Sequence, residues 1–236
     1  MYYVLCSPHR EPRTTGGVQV FDEHSRGQLF GYIELLRQAL NRGGNVPVTL
    51  LEDDCEVPEG FDDYVSHYHG FIHRTGAPVL WFSPSYMYTP PTNNRAYPPY
   101  FVHRPAARFV FTQAVTYPRL LAEHLLNWLI KLEPRLPSDG DGRKHNGDWL
   151  IGRALSQVNR DFLLHWPPVV QHVGTDSVVQ PGEQLDARYR TSSYYSSIWA
   201  EDICKLRPDP MVVFPPPSLL QPTQGDTDNE QEINGR

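Results

Sequence analysis

Three consecutive acids, Glu52-Asp53-Asp54, stand directly after the apolar and β-branched run Val46-Pro47-Val48-Thr49-Leu50-Leu51. Adjacent carboxylates repel one another, and a divalent cation or a cationic ligand offsets that repulsion. Hard oxygen donors of this kind suit Mg²⁺ or Mn²⁺. The run in front of them has the length and composition of a buried parallel strand. In open α/β sheets, ligands bind beyond the carboxyl ends of the strands, which is where these acids would stand. The competing reading is an acidic turn leading into Glu56-Val57-Pro58-Glu59-Gly60, with its charges solvated.

Further groups with chemical potential are spread along the chain. The loop from Ser7 to Gly17 contains Pro8, His9, Arg10, Pro12, Arg13 and two glycines, a composition that lets backbone and guanidinium approach a phosphate or a base closely. It reads equally as an ordinary polar loop. Asp148 follows the turn-rich stretch Leu136 to Gly147 and precedes Trp149 to Leu155, so it is either a helix cap or a base carried on a long active-site loop. His172 stands between apolar residues in Pro167 to Gly174, where a histidine is either a satisfied core residue or a ligand at an exposed rim. His67 and His69, with His73 beyond, face different sides of an expected helix and read as surface or core-edge groups. Ser83 to Arg95 is aromatic and proline-rich, fit to stack on a sugar or base or to pack as a surface loop.

These residues need elements to position them. Tyr2 to Cys6 reads as a first strand. Leu29, Ile33, Leu36 and Leu40 recur at helical spacing within Gly27 to Asn41, stopped by Arg42-Gly43-Gly44. Strand, loop, helix, strand and acids make an α/β unit with a right-handed crossover. Beyond it, the expected elements are a helix over Phe61 to Ile72, a strand over Ala77 to Phe82 and a β-rich stretch from Arg108 to Thr116. Pro118 then opens an apolar core helix through Leu120, Leu121, Leu125, Leu126 and Leu129. Phe162 to Trp166 reads as a late strand, and Ile198, Trp199, Ile203 and Leu206 as a short final helix. Residues 1–207 form the expected domain, and the Pro-rich, polar stretch 208–236 reads as a disordered tail.

Length and composition bound the partners. A chain of 236 residues can bury one sizeable core or two small ones. A net charge of −6 disfavours extensive non-specific binding to nucleic acid, while leaving room for a local basic patch. Three widely spaced cysteines argue against a disulfide framework or zinc knuckle and for reduced thiols in a cytoplasmic protein. The first residues are too short and uncharged for a signal peptide, and no run approaches a membrane span.

Taken together, the pieces resemble a family. Gly27 to Asp54 resembles the lipopolysaccharide and collagen galactosyltransferase family, family 25, in which a helix precedes a strand ending in Leu-Glu-Asp-Asp, here Leu51-Glu52-Asp53-Asp54. Phe111 to Ala122 looks like that family's next landmark, a strand leading into a helix. Pro168-Val169-Val170-Gln171-His172-Val173-Gly174 is similar to the late motif of the N-acetylglucosaminyltransferase IV group. These stretches lie within residues 1–180, and the families belong to the GT-A class of nucleotide-sugar transferases.

The resemblance implies an α/β, GT-A-like (Rossmann-like) mixed sheet flanked by helices. It also implies metal-dependent transfer of a sugar from a nucleotide-sugar donor, a UDP-sugar, to an acceptor hydroxyl with inversion. Asp54 and His172 would then bind Mn²⁺ or Mg²⁺, Asp53 or Glu52 would hold ribose or a water of the metal, and Ser7, Arg10 and Arg13 would contact the nucleotide or diphosphate. Asp148 would be the general base. The acceptor is a glycan, a lipid-linked sugar, or a hydroxymethylated DNA base as in viral base-modifying transferases. Fewer than 50 residues precede the acidic strand, which is short for the nucleotide-binding half of such a fold. Two other classes use the same residues: a metal-dependent phosphodiesterase or nuclease, which needs a fuller carboxylate cluster, and a catalytically inactive sugar-binding or scaffold protein.

Overall fold

A strand apolar on both faces must be buried on both, and two such strands lie inside the sheet. They are β3 (Val48–Glu52) and β8 (Phe162–Trp166), buried throughout except at Glu52. The computed structural model describes residues 2–6, 17–21, 28–42, 44–83, 99–109, 112–132, 147–158, 160–173, 192 and 195–214. In chain order, β1 (Tyr2–Cys6) and β2 (Val18–Phe21) precede α1 (Gln28–Asn41) and β3. Then come β4 (Cys55–Glu56), α2 (Phe61–His67), α3 (His69–Thr75), β5 (Val79–Leu80), β6 (Tyr100–Arg104), β7 (Ala114–Tyr117) and α4 (Arg119–Leu132). The last elements are α5 (Gly147–Gln157), β8, β9 (Gln171–His172), α6 (Ser197–Leu206) and β10 (Val212–Val213).

The main sheet has the order β10-β6-β8-β5-β7-β3-β1-β2. β1 pairs in parallel with both β2 and β3, and β7 runs antiparallel between β3 and β5. β5 pairs in parallel with β8, and β6 runs antiparallel to β8. The mixed sheet flanked by helices is therefore as expected, in a single domain.

Alternation along the strands divides the core into two layers. Tyr3, Leu50 and Leu164 face α1, α4 and α5, contributing to one cluster with Leu36, Leu125 and Ile151. Their neighbours Val4, Leu51 and Leu163 face α2, α3 and α6, in a second cluster with Tyr64, Ile72 and Ile203. A period of two on central strands thus produces helix, sheet and helix layers. Two buried threonines of the sheet meet each other: the Thr49 and Thr116 hydroxyls lie 2.8 Å apart, and Trp81 Nε1 donates to Thr116 Oγ1 at 2.7 Å.

Several expectations are corrected. Phe61 to Ile72 is not one helix. The axis breaks at Tyr68, where φ −90° and ψ 0° separate α2 from α3. Tyr68 is 1% exposed, its ring packs on Phe101 and its hydroxyl donates to the Pro208 carbonyl at 2.8 Å. Packing a tyrosine this deeply outweighs continuity of the helix. Among the described residues from Arg108 to Thr116, only Ala114 onward is strand, Ala106–Arg108 forms a single 3₁₀ turn, and Val110 and Phe111 lie outside the described part. β2 was not anticipated at all. Leu120, expected in the core, is 72% exposed, because α4 buries Leu121, Ala122, Leu125 and Leu129 instead. The start of the expected tail is also structured: β10 adds to the sheet edge beside β6. Residues 215–236 lie outside the described part. Among the described residues, no helix is long and apolar enough to cross a membrane.

Candidate functional site

The acids come from the end of β3. Leu5 of β1 is in register with Glu52, so these two parallel strands end side by side. From β1 the chain goes to β2 on one side, and α1 then carries it across to β3 on the other. The order therefore reverses here, and the crevice beyond such a switch point is where ligands of α/β sheets bind. Glu52 is pinned by both of its ends. Its backbone N–H donates to the Gln113 carbonyl at 2.8 Å, and its Oε1 accepts from the buried Thr112 hydroxyl at 3.0 Å. Asp53 and Asp54 then form the turn between β3 and β4.

β4 opens a second, two-stranded sheet with β9, in which Cys55 is paired with His172 and Glu56 with Gln171. That ladder joins residues more than a hundred positions apart. Val173 N–H donates to the Asp54 carbonyl at 2.8 Å, and Asp54 Oδ2 lies 3.0 Å from His172 Nε2. Both side chains are mostly enclosed, 15% and 14% exposed, which strengthens their interaction over that of a surface pair. The His172 ring lies 6.0 Å from that of Phe82, on the segment after β5. The approach to β9 is held by the Trp81 carbonyl, which accepts from Val169 and Val170 N–H at 3.1 and 3.3 Å.

The same place explains a thiol. Cys55 is fully buried, its Sγ contacts the Gln113 carbonyl at 3.2 Å, and burial pushes its pKa well up, helped by the negative charges of Asp54 and Glu52. A thiol held protonated is no nucleophile, so Cys55 serves as packing beneath the acids.

The donor chemistry fits a divalent cation. Asp54 and His172 lie at hydrogen-bonding distance, 3.0 Å, and one carboxylate with one neutral imidazole is a donor pair better suited to Mn²⁺ than to Mg²⁺, which prefers oxygen alone. Among the described residues no third His, Cys, Asp or Glu joins the pair. An ion there would take its remaining ligands from water and from phosphate oxygens, as Mg²⁺ commonly does in nucleotide sites.

No family model and no curated protein matches this sequence. The reading of the site thus stands on its residues.

Of the residues expected from the sequence, Asp54 and His172 are brought together, with Glu52 and Asp53 adjoining along the turn. Ser7, Arg10 and Arg13 lie outside the described residues. Asp148 falls in the first turn of α5, and its side chain is outside the described part. Sequence reasoning missed Thr112, Gln113 and Phe82. A polar Thr-Gln pair immediately before a fully buried strand was the available signal for the first two. Two surface grooves, of about 370 and 330 Å³, lie elsewhere. They border the opposite end of the sheet, near Pro118 and Leu163, and include none of the acids.

Proposed function

We propose that the chain is a metal-dependent glycosyltransferase of the GT-A type, transferring a sugar from a nucleotide-sugar donor to an acceptor hydroxyl. The observation that carries the reading is the pairing of Asp54 with His172, two residues 118 positions apart that meet at 3.0 Å beyond the end of a central parallel strand. The switch-point location and the oxygen and nitrogen donor set support it. By the family resemblance the donor is a UDP-sugar, and the acceptor is a glycan or a hydroxymethylated DNA base.

In this reading Asp54 and His172 hold Mn²⁺ or Mg²⁺, which when bound offsets the negative charge that grows on the β-phosphate of the departing nucleotide. Glu52, fixed by Thr112, and Asp53 orient the ribose. Arg10 and Arg13 grip the diphosphate through charge-assisted hydrogen bonds, with Ser7 beside them. Asp148 accepts the proton of the acceptor hydroxyl as its oxygen bonds to the anomeric carbon from the face opposite the leaving group. The electron pair of the broken carbon–oxygen bond departs on the β-phosphate, and the anomeric configuration inverts.

The test is a panel of UDP-, GDP-, CMP- and ADP-sugars, with and without Mn²⁺, assayed for binding and slow hydrolysis by the full chain. One donor should be bound and cleaved only with metal, and Asp54→Ala should abolish this while remaining folded. A folded protein that binds no donor would overturn the reading.

A further inference from the structure

A ladder of two residues has little stability of its own, yet His172 depends on one to reach Asp54. Its neighbour Gln171 supplies what the ladder lacks. The Gln171 side-chain amide accepts from the Ser192 backbone N–H at 2.9 Å and donates to the Ser192 carbonyl at 3.3 Å. It therefore mimics a neighbouring strand, pairing both backbone groups of a residue 21 positions further on. Ser192 is 3% exposed, so these two bonds are made away from competing water. The same carbonyl also accepts from Tyr195 N–H at 3.1 Å, which ties the clamp to the chain entering α6. Successive residues on a strand point to opposite faces, so Gln171 grips Ser192 on one side while His172 meets Asp54 on the other.

We propose that Gln171 is a positioning residue: its clamp on Ser192 holds β9 in register and thereby aims His172 at Asp54. The proposal rests on reading Asp54 and His172 as a metal-holding pair only for its functional consequence. The side chain is specific. Glutamate in its place can accept from Ser192 N–H but cannot donate to the carbonyl, and methionine fills the same space with neither bond.

The experiment compares the full chain with Gln171→Met and Gln171→Glu, using ¹⁵N-labelled histidine, with His172→Gln to assign the signal. In the unaltered protein His172 Nε2 should show a hydrogen-bonded N–H protected from exchange. Gln171→Met should lose that protection while the His165 signal stays in place, and Gln171→Glu should fall between. Titration with MnCl₂ alone, followed by relaxation of water protons, should show affinity weakened 10- to 100-fold in Gln171→Met. An unchanged His172 signal in Gln171→Met overturns the proposal; if that variant does not fold, the same reading is taken from Gln171→Glu. Absence of Mn²⁺ binding in the unaltered protein, with the His172 signal responding as stated, removes the metal reading and leaves the clamp standing.

Discussion

Asp54 and His172 gain their meaning from each other, and a second histidine shows how different a buried imidazole can be. His165 lies in the core with its ring 5.2 Å from that of Trp81. Its Nδ1 is 2.7 Å from the Pro167 carbonyl, which can only accept, so Nδ1 carries the proton and Nε2 accepts from the Tyr64 hydroxyl at 2.8 Å. Burial pulls its pKa down from 6.5 to about 4. The unfolded chain therefore binds a proton between those values that the folded one refuses. The contribution of neutral His165 is fully present above pH 6.5 and is lost as pH falls toward 4, by roughly 3 kcal/mol in all. Urea unfolding at pH 7.5 and 4.5 should show this loss, and His165→Gln should show a shallower pH dependence. Equal pH dependence in both proteins would refute the assignment. Cys55 yields a second expectation at this scale. Buried and held protonated, it should escape iodoacetamide in the folded chain and react only on unfolding, as read by mass spectrometry.

Elements are where local rules and packing part company. The apolar runs of β1, β3 and β8 and the helical spacing of α1 and α4 were legible because burial on both faces, or on one stripe, leaves a period in the sequence; in α6 the buried stripe is Ala200, Ile203 and Cys204, while Ile198 and Leu206 are exposed. The break between α2 and α3 falls at the buried Tyr68, with Gly70, a weak helix former, two residues beyond it; the apolar spacing on either side carries no mark of the break. Tyr68→Phe keeps the ring and removes the bond to Pro208, so it should cost about 1 kcal/mol in chemical denaturation. Tyr68→Ala should cost several times more by emptying the site between Tyr64 and Phe101. At the far end of α3, Gly76 caps the helix at φ +66°, and a Cβ there would stand 3.2 Å from Arg160 Nη1. Gly76→Ala should therefore destabilise by about 1 kcal/mol or more, since the backbone conformation itself resists a side chain. Stability unchanged from the parent would show that the cap relaxes.

For the whole molecule, the sheet's far edge is completed from beyond the last helix. β10 pairs with β6, and the Phe101 N–H donates to the Met211 carbonyl at 2.7 Å. The reference for this edge is a chain ending at Phe214, which keeps β10. One ending at Arg207 loses β10 and the Tyr68–Pro208 bond, and should melt several degrees lower. Equal melting of the two truncations would show that the edge strand contributes nothing. Each truncation should retain the Asp54–His172 pair, because β4 and β9 lie in the other, two-stranded sheet.

The amino-acid sequence by itself determined that acids would stand at the end of a buried strand, that strands and helices would combine in an α/β fold, and which side chains carry oxygen or nitrogen donors near those acids. Those are consequences of periodicity, of apolar length and of donor type, all of which are local. Only the tertiary structure decided that His172 meets Asp54. The contact needs the β4–β9 ladder, the Trp81 carbonyl and the Gln171 clamp together, and no period along the chain encodes the register of two residues with two others more than a hundred positions away. Strand β2 and strand β10 were hidden for a related reason: short segments at a sheet edge take their conformation from the neighbour that hydrogen-bonds them, and that neighbour is supplied by the fold.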